Sequence, residues 1–363
     1  MMEEKNTGIK IENVFEEYKK QLKLMEKQYG QEEDLYPWIY MLLLESGKVN
    51  NLSMRQVASA SWADCVVGRE MLRGYAGFPD IAILDKDFCV INVKDEEDIN
   101  NKISIVRKRF EERKESDENN IIENISQKNM EMDGKTKLSE ILYENNIDKI
   151  KGCIEVKDMS KTLIDIQTSK SLTINCSADK YVAKYRKGKG KSCYQIKDVN
   201  VENVNELKLG EYIEIKYDDL PNEVKSSGKF RKENKISRKF ERCINCFIEL
   251  EVSGVKKKYN LNDTDIRQFF GELIWYGKVL YTNGKVWKYI EVTKCSNEKE
   301  IESIVDLRGI LYAECVNVHK PEQEWYKCIC ELQKDKGLEI EIDCKTKLDK
   351  DDLMSWLKEK VNF

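Results

Sequence analysis

Histidine is almost missing from these 363 residues: His319 stands alone. A nucleophile–His–Asp triad, an HExxH protease site or a His-rich metal centre would each have to use that one side chain. It lies beside a proline in CVNVHKPEQEW, where a surface position is expected. Catalysis, if present, must therefore run on carboxylates and lysines. Long apolar runs are also lacking. The patch WIYMLLLE is too short to span a bilayer and lies too far into the chain for a signal peptide. A cytoplasmic protein without a membrane partner is expected. There is no GxGxxG, no fixed-period repeat and no coiled coil. GKGKS at 188–192 lacks the spacing and the strand–loop–helix setting of a phosphate-binding loop.

Cysteine is present but scattered, twelve in all. DFCVINV, GCIEV and KCICEL look like strand surroundings, so reduced, buried thiols are expected. Cys243 and Cys246 form a CxxC, and Cys328 and Cys330 a CxC, enough sulfur for a zinc site. RCINCFIELEV reads as a strand without the turn of a zinc knuckle, which disfavours that metal.

Charge is plentiful: 35% of residues are charged and 40% apolar, with a net charge of −4 that hides local asymmetry. Residues 180–191, KYVAKYRKGKGK, carry six positive charges and no negative one. Residues 225–242 carry eight basic residues against two acidic. As basic loops these runs suit a phosphate backbone, through Lys184, Arg186, Lys187, Lys229, Arg231 and Lys232. A solvated Lys-rich surface explains them equally well.

Helical spacing marks residues 11–30, with Val14, Tyr18, Leu22 and Met25 on one face and Gly30 at the end. YPWIYMLLLES reads as a second helix. LSMRQVASASWADCVVGREMLRGY reads as a third, capped by Asn51 or Ser53 and closed by Gly74. AGFPDIAILD and DFCVINVKD read as strands with a turn at residues 85–87. Residues 95–149 form a Glu-, Lys- and Asn-rich helical insertion, partly mobile, ending in the helix LSEILYENNI. Residues 161–262 read as a β-rich basic insertion with strands TLIDIQ, SLTINC, EYIEIKYDD and CFIELEV. LNDTDIRQFFGELIWYGKVLYTNGKVWKYIEV is the clearest unit: a helix ended by Gly277, then a hairpin turning at Asn283-Gly284. Residues 1–52 are N-terminal helices and 293–363 a C-terminal α/β extension.

Two short stretches carry chemistry. In GCIEVK, Ile154 and Val156 point one way while Glu155 and Lys157 share the other face. In FPDIAIL, Asp80 enters an apolar strand directly after Pro79. If these strands are neighbours, Asp80 and Glu155 converge on one divalent cation with Lys157 beside it. Hard cations such as Mg²⁺ take oxygen ligands, usually one or two carboxylates plus water and phosphate oxygens. Such an ion would bind a scissile phosphate and activate a water, and Lys157 would orient that water or stabilise developing charge. Residues 91–94, INVK, have the same shape with Asn92 in place of the acid, a poorer partner for Mg²⁺.

With Pro79-Asp80 and Glu155-Val156-Lys157, the sequence resembles the PD-(D/E)xK nuclease superfamily, with its restriction-endonuclease-like fold. Gln268 and Tyr276 in QFFGELIWY, and Thr282, Asn283, Gly284 and Trp287 in YTNGKVW, resemble the branch found in type I restriction-enzyme nuclease domains. The likeness covers residues 53–94, 150–160 and 263–292. It implies a mixed α/β fold with a central mixed β-sheet flanked by helices. It implies Asp80, Glu155 and the Val156 carbonyl as Mg²⁺ ligands, with Mn²⁺ able to substitute, and Lys157 as the catalytic lysine. Gln268 and Tyr276 would position the site and the nucleic-acid backbone, and Glu70, or else Glu45, would add an acid. The gap from Asp80 to Glu155 and the insertion before Gln268 are longer than the pattern requires. Insertions at surface connections add little closure entropy.

The expected function is a metal-dependent DNA endonuclease in restriction, phage defence or repair, acting on DNA rather than RNA, with a second copy of the chain or a defence-complex protein as the expected partner. The alternative is an inactive nuclease-fold module that binds nucleic acid or a partner protein.

Overall fold

The computed structural model describes residues 13–57, 66–68, 70–73, 77–92, 98–105, 134–177, 180–199, 210–317, 325–348 and 352–363. The chain forms two compact units. The first comprises Met1–Thr173, Leu250–Lys257 and Gln268–Phe363; the second comprises Ile174–Glu249 and Lys258–Arg267.

A six-stranded sheet organises the first unit. Its strands are β1 (Leu52–Gln56), β3 (Ile81–Asp85), β5 (Ile150–Val156), β13 (Lys278–Thr282), β14 (Trp287–Ser296) and β15 (Glu339–Lys347), in that spatial order. β1, β3 and β5 run antiparallel, β5 and β13 parallel, and β13, β14 and β15 antiparallel again. A parallel pair needs a crossover. The last part of this one is helix α6 (Thr264–Tyr276). Asp263 caps it by accepting from the Asp265 and Ile266 amides at 3.0 and 3.3 Å. Gly277, at φ +77°, ends it.

Alternation assigns the two faces. Ile81, Ile83, Ile154, Val156, Leu280, Trp287 and Tyr289 share one core cluster with residues of α1 (Val14–Gln28), α2 (Tyr36–Glu45) and α9 (Leu353–Lys360). α1 contributes Tyr18 and Leu22, as its spacing requires, and Asn13 caps it. The other face carries Cys153, Glu155 and Tyr281 and is covered by α6, with Phe269 packed on Tyr281 at 4.9 Å between ring centroids. β5 is therefore buried on both sides. Behind α6, Arg308 on α7 (Ile304–Leu311) is fully interior and donates to the carbonyls of Trp275, Tyr276 and Ile147. A guanidinium at the end of α6 complements both its free carbonyls and its dipole.

In the second unit, β7 (Lys180–Lys187), β8 (Ser192–Val199), β9 (Ile213–Ile215) and β10 (Ile236–Cys243) form an antiparallel sheet of order β8-β7-β10-β9. One face buries Ala183, Tyr185 and Ile236 against Leu220, Phe230 and Val224, the last from helix α5 (Asn222–Ser226). β6 (Leu172–Cys176), β11 (Cys246–Val252) and β12 (Val255–Asn260) make a further sheet of order β12-β11-β6, cross-linked by a disulfide between Cys176 and Cys246.

Several expectations need correction. Leu52–Gln56 is edge strand β1 rather than the start of a helix, because pairing with β3 outweighs local helical preference. Later in that stretch, Val66–Val67 is strand β2 and Glu70–Arg73 a short helix, α3; residues 58–65 and Gly74 lie outside the described residues. The turn after Asp85 forms, yet Ile91–Asn92 (β4) pairs with β2, so no hairpin joins the two apolar runs. TLIDIQ lies outside any strand, and Lys288 donates to its Ile164 and Ile166 carbonyls instead. The run at 180–187 is strand β7, not a loop. KCICEL lies in helix α8 (Trp325–Lys336), whose Trp325, Tyr326, Ile329 and Cys330 are buried at helical spacing. Cys176 and Cys246 are oxidised, whereas Cys153, Cys295 and Cys330 are free and buried. The C-terminal stretch supplies β15 to the main sheet. The helix ending the 95–149 insertion is α4 (Gly134–Asn146); residues 106–133 are not described. Among the described residues, no helix is long and apolar enough to cross a membrane.

Candidate active site

Ile81 pairs with Ile154, and one further step sets Asp80 against Glu155. Both carboxylates are nearly inaccessible, at 7% and 3% exposure. Asp80 Oδ2 accepts from the Val156 amide at 2.6 Å and Oδ1 from the Tyr36 hydroxyl at 2.7 Å. Glu155 Oε1 accepts from Lys157 Nζ at 2.5 Å and from Gln268 Nε2 at 3.2 Å. The same Gln268 nitrogen donates to Glu272 Oε1 at 2.9 Å. Glu155 Oε2 and Glu272 Oε2 are buried without a hydrogen-bond partner.

The electrostatics follow from burial. Desolvation, then the nearby Asp80 charge, pushes the Glu155 carboxyl up to about 8, against the pull of Lys157. Desolvation also raises Asp80, opposed by the Val156 amide and the Tyr36 hydroxyl. Glu272 is raised well above the usual carboxylate range, first by burial and then by Glu155. Burial draws the Lys157 ammonium down, but Glu155 beside it outweighs that and holds it above its ordinary value. Glu32 stands at the rim, raised by partial burial and by Asp80.

The turn after β13 fixes Lys157. Its amide donates to the Thr282 carbonyl at 2.8 Å, and Asn283 Nδ2 donates to the Lys161 carbonyl at 2.8 Å. Thr282 Oγ1 donates to Val286 O and accepts from the Gly284 amide, while Asn283 Oδ1 accepts from the Lys285 and Val286 amides. β13 and β14 are thus joined by the four residues Asn283–Val286, where Asn283-Gly284 alone suggested a two-residue turn. Trp287 is buried below, 6.2 Å from the Tyr18 ring.

Asp80, Glu155, Lys157 and Gln268 therefore meet, with the Val156 backbone in contact. The other expected residues lie elsewhere. Glu70 accepts from the Ser139 hydroxyl and faces Tyr312. Glu45 is exposed at the end of α2. Tyr276 is fully interior and donates to the Leu72 carbonyl, so its place is in packing and not on a surface that nucleic acid could reach. Asn92 stands in the separate β2–β4 sheet, and His319 lies outside the described residues.

The basic residues sit in the second unit. Lys184 pairs with Glu241, and Arg186 stacks on Tyr212 at 3.6 Å. The two basic runs meet at one end of the sheet, where the Gly188 amide donates to Lys235 O at 2.7 Å and Lys229 Nζ to Cys193 O at 3.0 Å. Lys187, Lys189, Lys191 and Lys235 are exposed there. Arg231 and Lys232 touch Glu233 and Asp218 only at 4.0 and 3.8 Å, on a strongly exposed rim.

No family model, curated protein or solved structure matches this chain.

The donor set suits a hard divalent cation. Two buried carboxylates face each other across adjacent strands, and one has an unpartnered oxygen. Among the described residues there is no group of three or more acidic, histidine or cysteine side chains at metal-binding spacing. An ion here would rest on Asp80, Glu155, a backbone oxygen and oxygens from water or substrate, a set that Mg²⁺ accepts. Sequence reasoning missed Glu32, Tyr36 and Glu272. Glu272 alone left a signal: an acid one helical turn after Gln268 in an otherwise apolar stretch.

Proposed function

We propose that this chain is a metal-dependent nuclease of the PD-(D/E)xK type that hydrolyses phosphodiester bonds, with DNA as the preferred substrate. The observation that carries the reading is the convergence of Asp80, Glu155, Lys157 and Gln268 at the β3–β5–β13 junction. Three antiparallel strands followed by a helical crossover to a parallel strand also suit a restriction-endonuclease-like core.

Asp80, Glu155 and the Val156 carbonyl would hold Mg²⁺ or Mn²⁺. Once bound, such an ion supplies Lewis acidity toward a phosphoryl oxygen and a water of lowered pKa. The chain does the rest. Tyr36 and the Val156 amide fix Asp80, and Gln268 fixes Glu155. Lys157, kept protonated beside Glu155, offers its remaining N–H groups to the negative charge that develops in the transition state. The basic end of the second unit is suited to the phosphate backbone by charge complementarity. That same feature favours the second reading, a module that binds nucleic acid without cutting it.

Supercoiled, linear and single-stranded DNA and RNA, incubated with Mg²⁺, Mn²⁺ or EDTA, separate the two. Cleavage that needs the metal and is lost in Lys157→Ala supports the nuclease. Salt-sensitive binding with no cleavage under any condition supports the binding module.

A further inference from the structure

Glu272 has no role in the chemistry above, yet it is the least expected side chain at the site. It is fully buried on α6, flanked by Phe269, Phe270, Leu273 and Ile274. A leucine would fill that position without burying a carboxyl oxygen that has no partner, which Glu272 Oε2 is. Breaking a packing rule this plainly is characteristic of functional positions.

Its hydrogen bond with Gln268 explains what it does. Gln268 lies one helical turn earlier on the same face, and its Nε2 donates to Glu155 Oε1 at 3.2 Å and to Glu272 Oε1 at 2.9 Å. A side-chain amide nitrogen carries two hydrogens, so both are committed. Two carboxyl acceptors on one side also fix which end of the amide points there. Gln268 cannot rotate without giving up one acid. Glu155 Oε1 is thereby held between Gln268 and Lys157, while Oε2 is left free of protein donors. We infer that Glu272 is a positioning residue: acting through Gln268, it orients Glu155 to ligate a divalent cation. The inference rests on the metal-site reading of Asp80 and Glu155 given above.

Partners one step behind a metal ligand typically change metal affinity by about 10–100-fold when removed. The test is calorimetric titration of Mn²⁺ into the full chain, without nucleic acid, alongside metal-free thermal melts. Glu272→Leu is expected to weaken Mn²⁺ binding by about 10-fold or more, while its metal-free melting temperature stays level or rises. Glu272→Gln keeps a side-chain oxygen for Gln268 and is expected to bind within about threefold of wild type, since the hydrogen bond is retained. Gln268→Leu, at a position only partly buried, should show the same loss even if Glu272→Leu folds poorly. The double variant should be no worse than Gln268→Leu alone, because the two residues act in series. Wild-type affinity in Glu272→Leu, or losses that add in the double variant, would overturn the inference. If the wild type shows no Mn²⁺ binding sensitive to Asp80→Asn, the metal-site reading itself fails, and the inference falls with it.

Discussion

Glu155 is a carboxylate that the fold makes costly to ionise. Asp80 faces it from β3, Glu272 approaches from α6, Glu32 stands at the rim, and Lys157 is the nearby cation. Burial, then the Asp80 charge, pushes its carboxyl up to about 8 from an ordinary value of 4.5. A raised carboxylate favours the folded state below its unfolded pKa, and that contribution disappears as pH rises through the folded value. The metal-free protein should therefore lose melting temperature between about pH 4.5 and about pH 8. Glu155→Gln should flatten the slope without abolishing it, because Asp80 and Glu272 are raised as well. A wild-type melting temperature constant across that window would contradict this assignment. Lys157→Ala should lower cleavage by at least about 100-fold, the scale of losing one charge-stabilising donor, with the metal-free fold intact by circular dichroism. At this scale the sequence was informative. The alternation in GCIEVK placed Glu155 and Lys157 on one face and Ile154 and Val156 on the other. It did not reveal that the polar face lies under α6, because neighbours brought in from residue 268 onward leave no mark on a local pattern.

Elements explain why the acids stay in register. The Thr282–Trp287 turn ties the end of β13 to the segment after β5 through Lys157 and Lys161, and to α1 through the Tyr18 hydroxyl on the Gly284 carbonyl at 2.6 Å. Gly284 has φ +79°, and an added Cβ would sit 3.0 Å from a Leu35 methyl and 3.1 Å from a Leu22 methyl. Gly284→Ala should destabilise by about 1–3 kcal/mol, from strain and overpacking together. Urea unfolding measures this, and an unchanged midpoint would show that the turn is not a clamp. Helix α6 was legible from its apolar face and from Gly277 at its end. β1 was not: in LSMRQ only Leu52 and Met54 alternate with polar residues, too short a pattern on a half-exposed edge to outweigh the helical reading. The pairing of β4 with β2, after the turn at residues 85–87, was hidden for a related reason. A turn can be read locally, but the partner of the following strand is chosen by tertiary packing.

For the whole molecule, the main sheet collects strands from both halves of the chain, and β15 joins it from residues 339–347. Charge patterning identified both basic runs, but only the pairing of β7 with β10 shows that they meet at one end of the second unit. Nucleic-acid affinity should fall with salt, and changing Lys187, Lys189 and Lys191 to Ala should reduce the log–log slope by about 0.9 for each phosphate no longer neutralised. An unchanged slope would put the binding surface elsewhere. Under the proposed function, Asp80 and Glu155 form one metal-dependent hydrolytic site. Its most direct test is cleavage of supercoiled DNA in Mg²⁺ by the wild type and by Asp80→Asn. Nicking or linearisation by the wild type, abolished by EDTA and absent in Asp80→Asn, is the expected result. Equal cleavage by both proteins would contradict it.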